Sequence, residues 1–324
     1  MRQRRTLRGV ERKGFAILSA LWFMVLLVGI GLHVATRAHT DRLAAINRTE
    51  AMHARAAAES GVEHARSRLA RRLDRIAASA PGTPLPTLSW LGADSVITDA
   101  GLLGDAHYSV RVRDAGARIH LNLASEDELR SLFVALRVDA GRADRLAQAI
   151  ADWRDGDDLR HPRGAERAEY LREGARALPS NARFRRVNDL RDVREVDGPL
   201  LELVSPFLTT AGSGRVNPNT APEPVLLTIR GFTPEVVASL MSLRNRSIAL
   251  TDAEQLVGAL PSNLRAALMD RRGEWAGRLV FESTELEYES EGRLATGPAR
   301  GIATGVLVRF GTRFISTERR VEAW

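Results

Sequence analysis

The sequence predicts an α+β chain: one long N-terminal helix, an antiparallel sheet, and a large α-helical domain inserted between the strands. Three observations carry this. An apolar run opening at Phe15 passes without a break into an Ala-rich stretch of helical periodicity. Strictly alternating apolar and polar residues appear near residue 107 and again at the C-terminus. Capped, helix-like segments fill the sequence between them.

The 324 residues are 44% hydrophobic, which suffices for packed cores and rules out broad disorder. The formal net charge of +7 arises from 47 basic residues interspersed with 40 acidic ones, so the surface reads as mixed and solvated instead of one polyanion-binding face. The absence of cysteine excludes disulfides, thiolate metal sites and Cys nucleophiles, and leaves the compartment open.

The helix comes first. Arg2, Arg4, Arg5, Arg8, Arg12 and Lys13 precede it, against the single acid Glu11. Residues 15–35, "FAILSALWFMVLLVGIGLHVA", hold no Asp, Glu, Lys or Arg, and as a helix would rise roughly 31 Å, the thickness of a bilayer's hydrocarbon. The basic flank would stay cytoplasmic and residues beyond Arg37 would lie outside. An ordinary cleavable signal has a shorter apolar core. Here the helical pattern continues with Leu43, Ile46, Met52, Val62, Leu69 and Ile76, with no proline before Pro81. One helix over about 15–78 is expected, a membrane span at 15–35 and an amphipathic shaft at 36–80.

Residues 81–90, "PGTPLPTLSW", break it. "AHYSVRVRDAGARIHLN" then alternates, with Tyr108, Val110 and Val112 on one face and Ile119 and Leu121 after the "DAG" turn, and predicts a β-hairpin within a first β region at 81–121. "FESTELEYESEG" and "ARGIATGVLVRFGTRFISTERRVEAW" predict two or three strands over 276–324 that complete the same sheet. The helical insert falls at 122–275.

The insert repeats itself weakly. "RIHLNLASEDELRSLFVAL" and "RVNPNTAPEPVLLTIRGF" each lead into a short amphipathic helix and then a second one; Ser125 with Glu128, and Thr220 with Glu223, fit capping boxes. Two such modules resemble SAM or helix-hairpin-helix units. They raise an alternative reading, a membrane-anchored DNA-binding protein. That chemistry needs a Gly-x-Gly hairpin whose amides meet phosphate, whereas the second copy has only Gly231 and the first reads "RVDAGRAD".

Between the copies, Asp155, Asp157 and Asp158 share a Gly-containing loop, with Glu166 eight residues after Asp158. Oxygen ligands at alternating loop positions suit Ca²⁺, although the EF-hand spacing is missing. A solvated turn pairing with Arg154, Arg160 or Arg163 accounts for the same residues. A two-metal hydrolase would need further ligands beyond His161. No Ser–His–Asp context, phosphate-cradling glycine loop or nucleotide fingerprint is present, so no enzyme and no organic cofactor are expected.

The basic leader, Gly14, Phe15, the apolar span and the continuing helix resemble a type IV prepilin-class N-terminus. Ser19 stands where that class usually has Glu. Trp153, Asp155, Asp157, Asp158, Gly164-Ala165-Glu166, Tyr170, Asn181, Leu190 and Val196 follow in order the W-x-D-x-D, G-A-E-x-x-x-Y and later Asn and Leu pattern of the K-type minor pseudopilins of type II (general) secretion systems, which also lack the Glu. The resemblance spans nearly the whole chain. It implies a pilin-like fold and removal of leader 1–14 by prepilin peptidase between Gly14 and Phe15, with N-methylation of Phe15. It implies calcium in the insert, with Asp155, Asp157, Asp158 and Glu166 as candidate ligands. It also implies a place at the tip of a periplasmic pseudopilus anchored in the inner membrane. The partners would be the I- and J-type minor pseudopilins, the major pseudopilin and the inner-membrane assembly platform.

Overall fold

The computed structural model describes residues 10–79, 96–175 and 177–324; the break at 81–90 lies outside them. In chain order the elements are α1 (Val10–Ser79), β1 (Val96–Leu103), β2 (Ala106–Asp114), β3 (Ile119–His120), α2 (Glu126–Ala135), α3 (Ala140–Arg154), α4 (Arg167–Arg172), α5 (Gly198–Val204) and β4 (Leu208–Thr209). There follow α6 (Glu223–Leu226), α7 (Pro234–Asn245), α8 (Ala253–Ala259), α9 (Ser262–Asp270), α10 (Arg272–Trp275), β5 (Glu285–Leu294), β6 (Arg300–Phe310) and β7 (Arg313–Ala323).

α1 is continuous, as its unbroken Ala-rich pattern demands, and its two halves differ. Residues from Phe15 to Val34 expose their large apolar side chains, and the most apolar window has a mean hydropathy of 2.5 with none of it buried. Further on, Ala58, Val62, Ala65, Leu69 and Leu73 form a buried stripe at helical spacing. Leu43, Ile46 and Met52 belong to the pattern but stay exposed, because the sheet begins to cover α1 only at Ala54.

The sheet is antiparallel, in the order β1-β2-β5-β6-β7. One face, Val110, Val112, Leu286, Tyr288, Ala303, Leu307 and Phe314, packs on the α1 stripe. Two facing glycines, Gly292 on β5 and Gly301 on β6, let the helix sit directly on the strands. A Cβ at Gly292 would lie 2.1 Å from the Ala54 carbonyl oxygen, and one at Gly301 2.6 Å from the same atom.

The expected hairpin over 106–122 is not formed. β2 turns back on β1 through Gly104 (φ 58°), and its other edge is taken by β5, so no edge remains for Ile119 and Leu121. Asp114 receives the Gly116 N–H at 3.0 Å, a short 3₁₀ turn follows, and the chain leaves the sheet. Ile119–His120 instead pairs in parallel with Leu208–Thr209 inside the insert.

The insert has its own core, reaching from Ile119 to Leu279 and including Phe133, Ile150, Trp153, Leu226, Leu240 and Trp275. Its two helical modules repeat one plan in detail. Each opens on a short parallel pairing with its own end, Ile119 with Leu208 and Val216 with Leu279. In the first, the Asn122 amide bonds both backbone groups of Phe184 (2.9 and 2.8 Å); in the second, Asn219 bonds both of Leu250 (2.8 Å each). Arg154, ending α3, donates to the Leu121 and Ala124 carbonyls; Arg244, in the last turn of α7, donates to those of Ala221 and Thr220.

The capping box at Ser125 and Glu128 forms, with both reciprocal bonds present. The one expected at Thr220 and Glu223 does not. α6 starts after Pro222, and the Thr220 hydroxyl donates instead to buried Asp114 at 2.7 Å. The same Asp114 oxygen also receives Asn217 Nδ2 at 2.8 Å and the Ser283 hydroxyl. The point where the chain leaves the sheet is thereby tied to the point where it returns. Burial raises the Asp114 carboxyl, and these four donors oppose the rise.

Candidate functional site

α3 is capped by Asp139, which accepts the Arg142 N–H, and buries Ala143, Leu146, Ala147, Ile150 and Trp153. Trp153 meets Tyr170 of α4 edge-on at 5.5 Å and stacks on Phe184 at 6.4 Å. The Tyr170 hydroxyl accepts the Arg194 N–H at 2.8 Å. This aromatic wall holds the loop 155–166 against the end of α3.

Behind that wall the carboxylates converge. Asp152 is fully buried and Glu166 is 3% exposed. Asp152 Oδ2, Asp155 Oδ1 and both oxygens of Glu166 are buried and make no well-formed hydrogen bond. Donor atoms of Asp152, Asp155 and His161 lie within 4.8 Å of one another. Burial, then the charges of Asp152, Asp155 and Asp158, push the Glu166 carboxyl up to about 7, against only a partial pull from the Arg167 N–H. Burial and then Asp157 and Asp152 raise Asp155. The hydrogen bond to Asp152 leads the causes that raise His161. Carboxylates that cannot share a buried space while ionised ask for a cation, and a hard oxygen set suits Ca²⁺. The residues fit that ion.

Of the four residues nominated from the sequence, Asp155 is in this group, and Glu166 is near enough for the charges of Asp152 and Asp155 to act on its carboxyl. Asp157 and Asp158 sit on its exposed rim: Asp157 Oδ1 accepts the Leu159 N–H at 2.8 Å, and Asp158 Oδ1 accepts from Asn181 Nδ2 at 3.0 Å. Asp152 was not nominated. It lies three residues before Asp155, on the same face one helical turn earlier, and that spacing was the available signal.

The Gly14–Phe15 peptide lies within α1, and Phe15 is exposed. The Ser19 hydroxyl donates to the Phe15 carbonyl at 2.8 Å. Where a carboxylate would seek an external cation, this side chain is satisfied within its own helix.

The links between paired helices bear on the nucleic-acid reading. The first module turns at Arg137 (φ 66°) and the second at Gly231 (φ 90°), and neither link carries a Gly-x-Gly pair. Nothing among the similar proteins supports DNA binding either.

Residues 103–212 match the family described as "Type II secretion system (T2SS), protein K". No curated protein matches the chain. Among solved structures, the chain is similar to one in the crystal structure of the GspK-GspI-GspJ complex from the enterotoxigenic Escherichia coli type 2 secretion system. The identity is 17% and the TM-score 0.56, covering 89% of this chain and 99% of that one, which shows a shared fold. Over residues 103–212 the chain is thus similar to the type II secretion system protein K family, and over most of its length it shares the fold of the K-type chain in that complex.

Proposed function

We propose that this chain is a minor pseudopilin of type II secretion, held in the inner membrane by residues 15–35 with the remainder in the periplasm. It caps a pseudopilus together with I- and J-type subunits and promotes assembly of the filament on the inner-membrane platform. The observation that carries this is the division of α1 into an exposed apolar half and a half packed on a sheet, within a chain whose residues 103–212 match protein K. Ser19 favours the tip: a helix whose polar side chain bonds Phe15 has no carboxylate to offer a neighbour's amine. The insert would crowd a repeating shaft and is accommodated at an end. In this role the chain is structural and catalyses nothing.

Prepilin peptidase removes residues 1–14, and Phe15 is methylated. N-terminal sequencing of protein extracted from membranes should begin at Phe15; a chain still beginning at Met1 would exclude this processing. Co-expression with I- and J-type pseudopilins should yield a ternary complex, and its failure to form would remove the tip assignment. Calcium binds at Asp152, Asp155 and Glu166, where it neutralises the buried charge and staples the loop to α3. Calcium should raise the melting temperature well above the effect of equimolar magnesium.

A further inference from the structure

Resting on the reading that Asp152, Asp155 and Glu166 hold calcium, we infer that His161 and Gly164 are positioning residues that fix which Asp152 oxygen faces the ion, and that His161 ties this ligand to Glu126 of α2. Asp152 Oδ1 is held twice by His161, through the backbone N–H at 3.2 Å and through Nδ1. Oδ2 is left buried and unbonded. The Gly164 N–H donates to the His161 carbonyl at 3.1 Å and closes the turn around the carboxylate. A Cβ at Gly164 would stand 2.0 Å from Oδ2 and 2.7 Å from Cγ, so any side chain there displaces the ligand. One end of the turn grips the outer oxygen; the other keeps room for the inner one.

His161 could itself be taken for a ligand, since it lies in the same group. Its ring nitrogens are both engaged: Nδ1 on Asp152, and Nε2 2.9 Å from Glu126 Oε1. A ligating imidazole is commonly oriented by a carboxylate; here an imidazole orients a ligating carboxylate. Glu126 is the first residue of α2 and follows the Ser125 cap, so the clamp joins α2 to the end of α3.

The test uses the full chain in detergent micelles with terbium(III), a luminescent ion of calcium-like size excited through Trp153, and with calcium as competitor. Lifetimes in H₂O and D₂O count the waters on the ion. His161→Leu should weaken binding 10- to 100-fold and admit an extra water, the usual scale for losing an outer-shell partner. Gly164→Ala should do likewise. His161→Asn, which keeps a donor near the Nδ1 position, should restore most of the affinity, and Glu126→Gln should cost a few-fold. Glu126 is partly exposed, so its variant keeps the test open if His161→Leu fails to fold. Unchanged affinity and water count in His161→Leu would overturn the inference. So would unchanged or tighter binding in Glu126→Gln, the result expected if His161 were a ligand. If the unaltered chain binds neither ion, the calcium reading itself fails.

Discussion

In the first helical module the chain runs from Arg154 to Phe184 through residues 155–183. In the second it runs from the corresponding Arg244 to Leu250 through residues 245–249 alone. Both modules lock the same way, with an arginine at a helix end reaching back to two carbonyls and an asparagine bonding both backbone groups of one residue. Every candidate metal ligand after Arg154 lies in the extra segment, and Ser242 stands two residues before Arg244 as Asp152 does before Arg154. The plan is therefore sufficient without a cation. The longer connection in the first module seats Ala165 and Tyr170 in the core and adds buried carboxylates that an ion would neutralise.

The anchoring differs as well. The second module is tied to the sheet through buried Asp114 by Asn217 and Thr220. The first reaches the sheet through Glu287, which pairs with Arg118 and accepts from the Thr209 hydroxyl at 3.2 Å.

The largest expected effect comes from the second anchor. Asp114→Ala strands several buried donors at once and should destabilise by about 3–5 kcal/mol. Hydrogen exchange should show the loss concentrated around Asn217 and Ser283; uniform loss across both modules would break the proposed division of anchors. Next, Asn219→Ala leaves the Leu250 N–H unbonded in a buried site and should cost about 2–3 kcal/mol, whereas half-exposed Asn122→Ala should cost about 1 kcal/mol, since water can replace the amide. Equal costs by chemical denaturation would mean that the two locks share one environment.

Calcium should act on one module only. At one hundred times its Kd it adds about 2.7 kcal/mol. Protection should rise over 152–170 and stay level over 233–250, and Asp152→Asn should abolish the rise.

The smallest effect lies outside both modules. Asp99 on β1 bonds Arg68 of α1 at 2.7 Å. Burial alone would raise its carboxyl, but Arg68, the Ala100 N–H and His64 together hold it below the usual range. A carboxyl lowered by folding contributes stability that is present above its unfolded pKa and is lost as pH falls through the lower folded one. Asp99→Asn should therefore lower neutral stability by under about 1 kcal/mol and leave acid stability almost unchanged, which flattens that acid limb.

The parts of this molecule legible in sequence were those governed by local periodicity. α1 follows from an uninterrupted apolar and Ala-rich pattern. The C-terminal strands follow from alternation, and the α2 start from a Ser and a Glu three residues apart. Partner choice was harder to read. The alternation around 106–121 was real, yet β2 pairs with β1 and β5, and only the competition for its two edges decides that Ile119 goes elsewhere. Thr220 has the spacing of a cap, but a buried carboxylate from a distant strand is the stronger acceptor. The metal group was half legible: Asp155 and Glu166 stood out in the loop, whereas Asp152 was hidden as the polar member of an otherwise apolar helix end.

The seat of α1 on Gly292 and Gly301 has a mechanical consequence. Main chain rests on main chain there, so no compressible side-chain layer lies between rod and plate. A push along the axis of α1 would pass into β5 and β6 with little slip, and through the strand that leads out of the insert at Ser283 it would reach the helical head. Helix, sheet and head should then advance as a stiff piston, and enlarging either glycine would loosen that joint before it unfolded the protein.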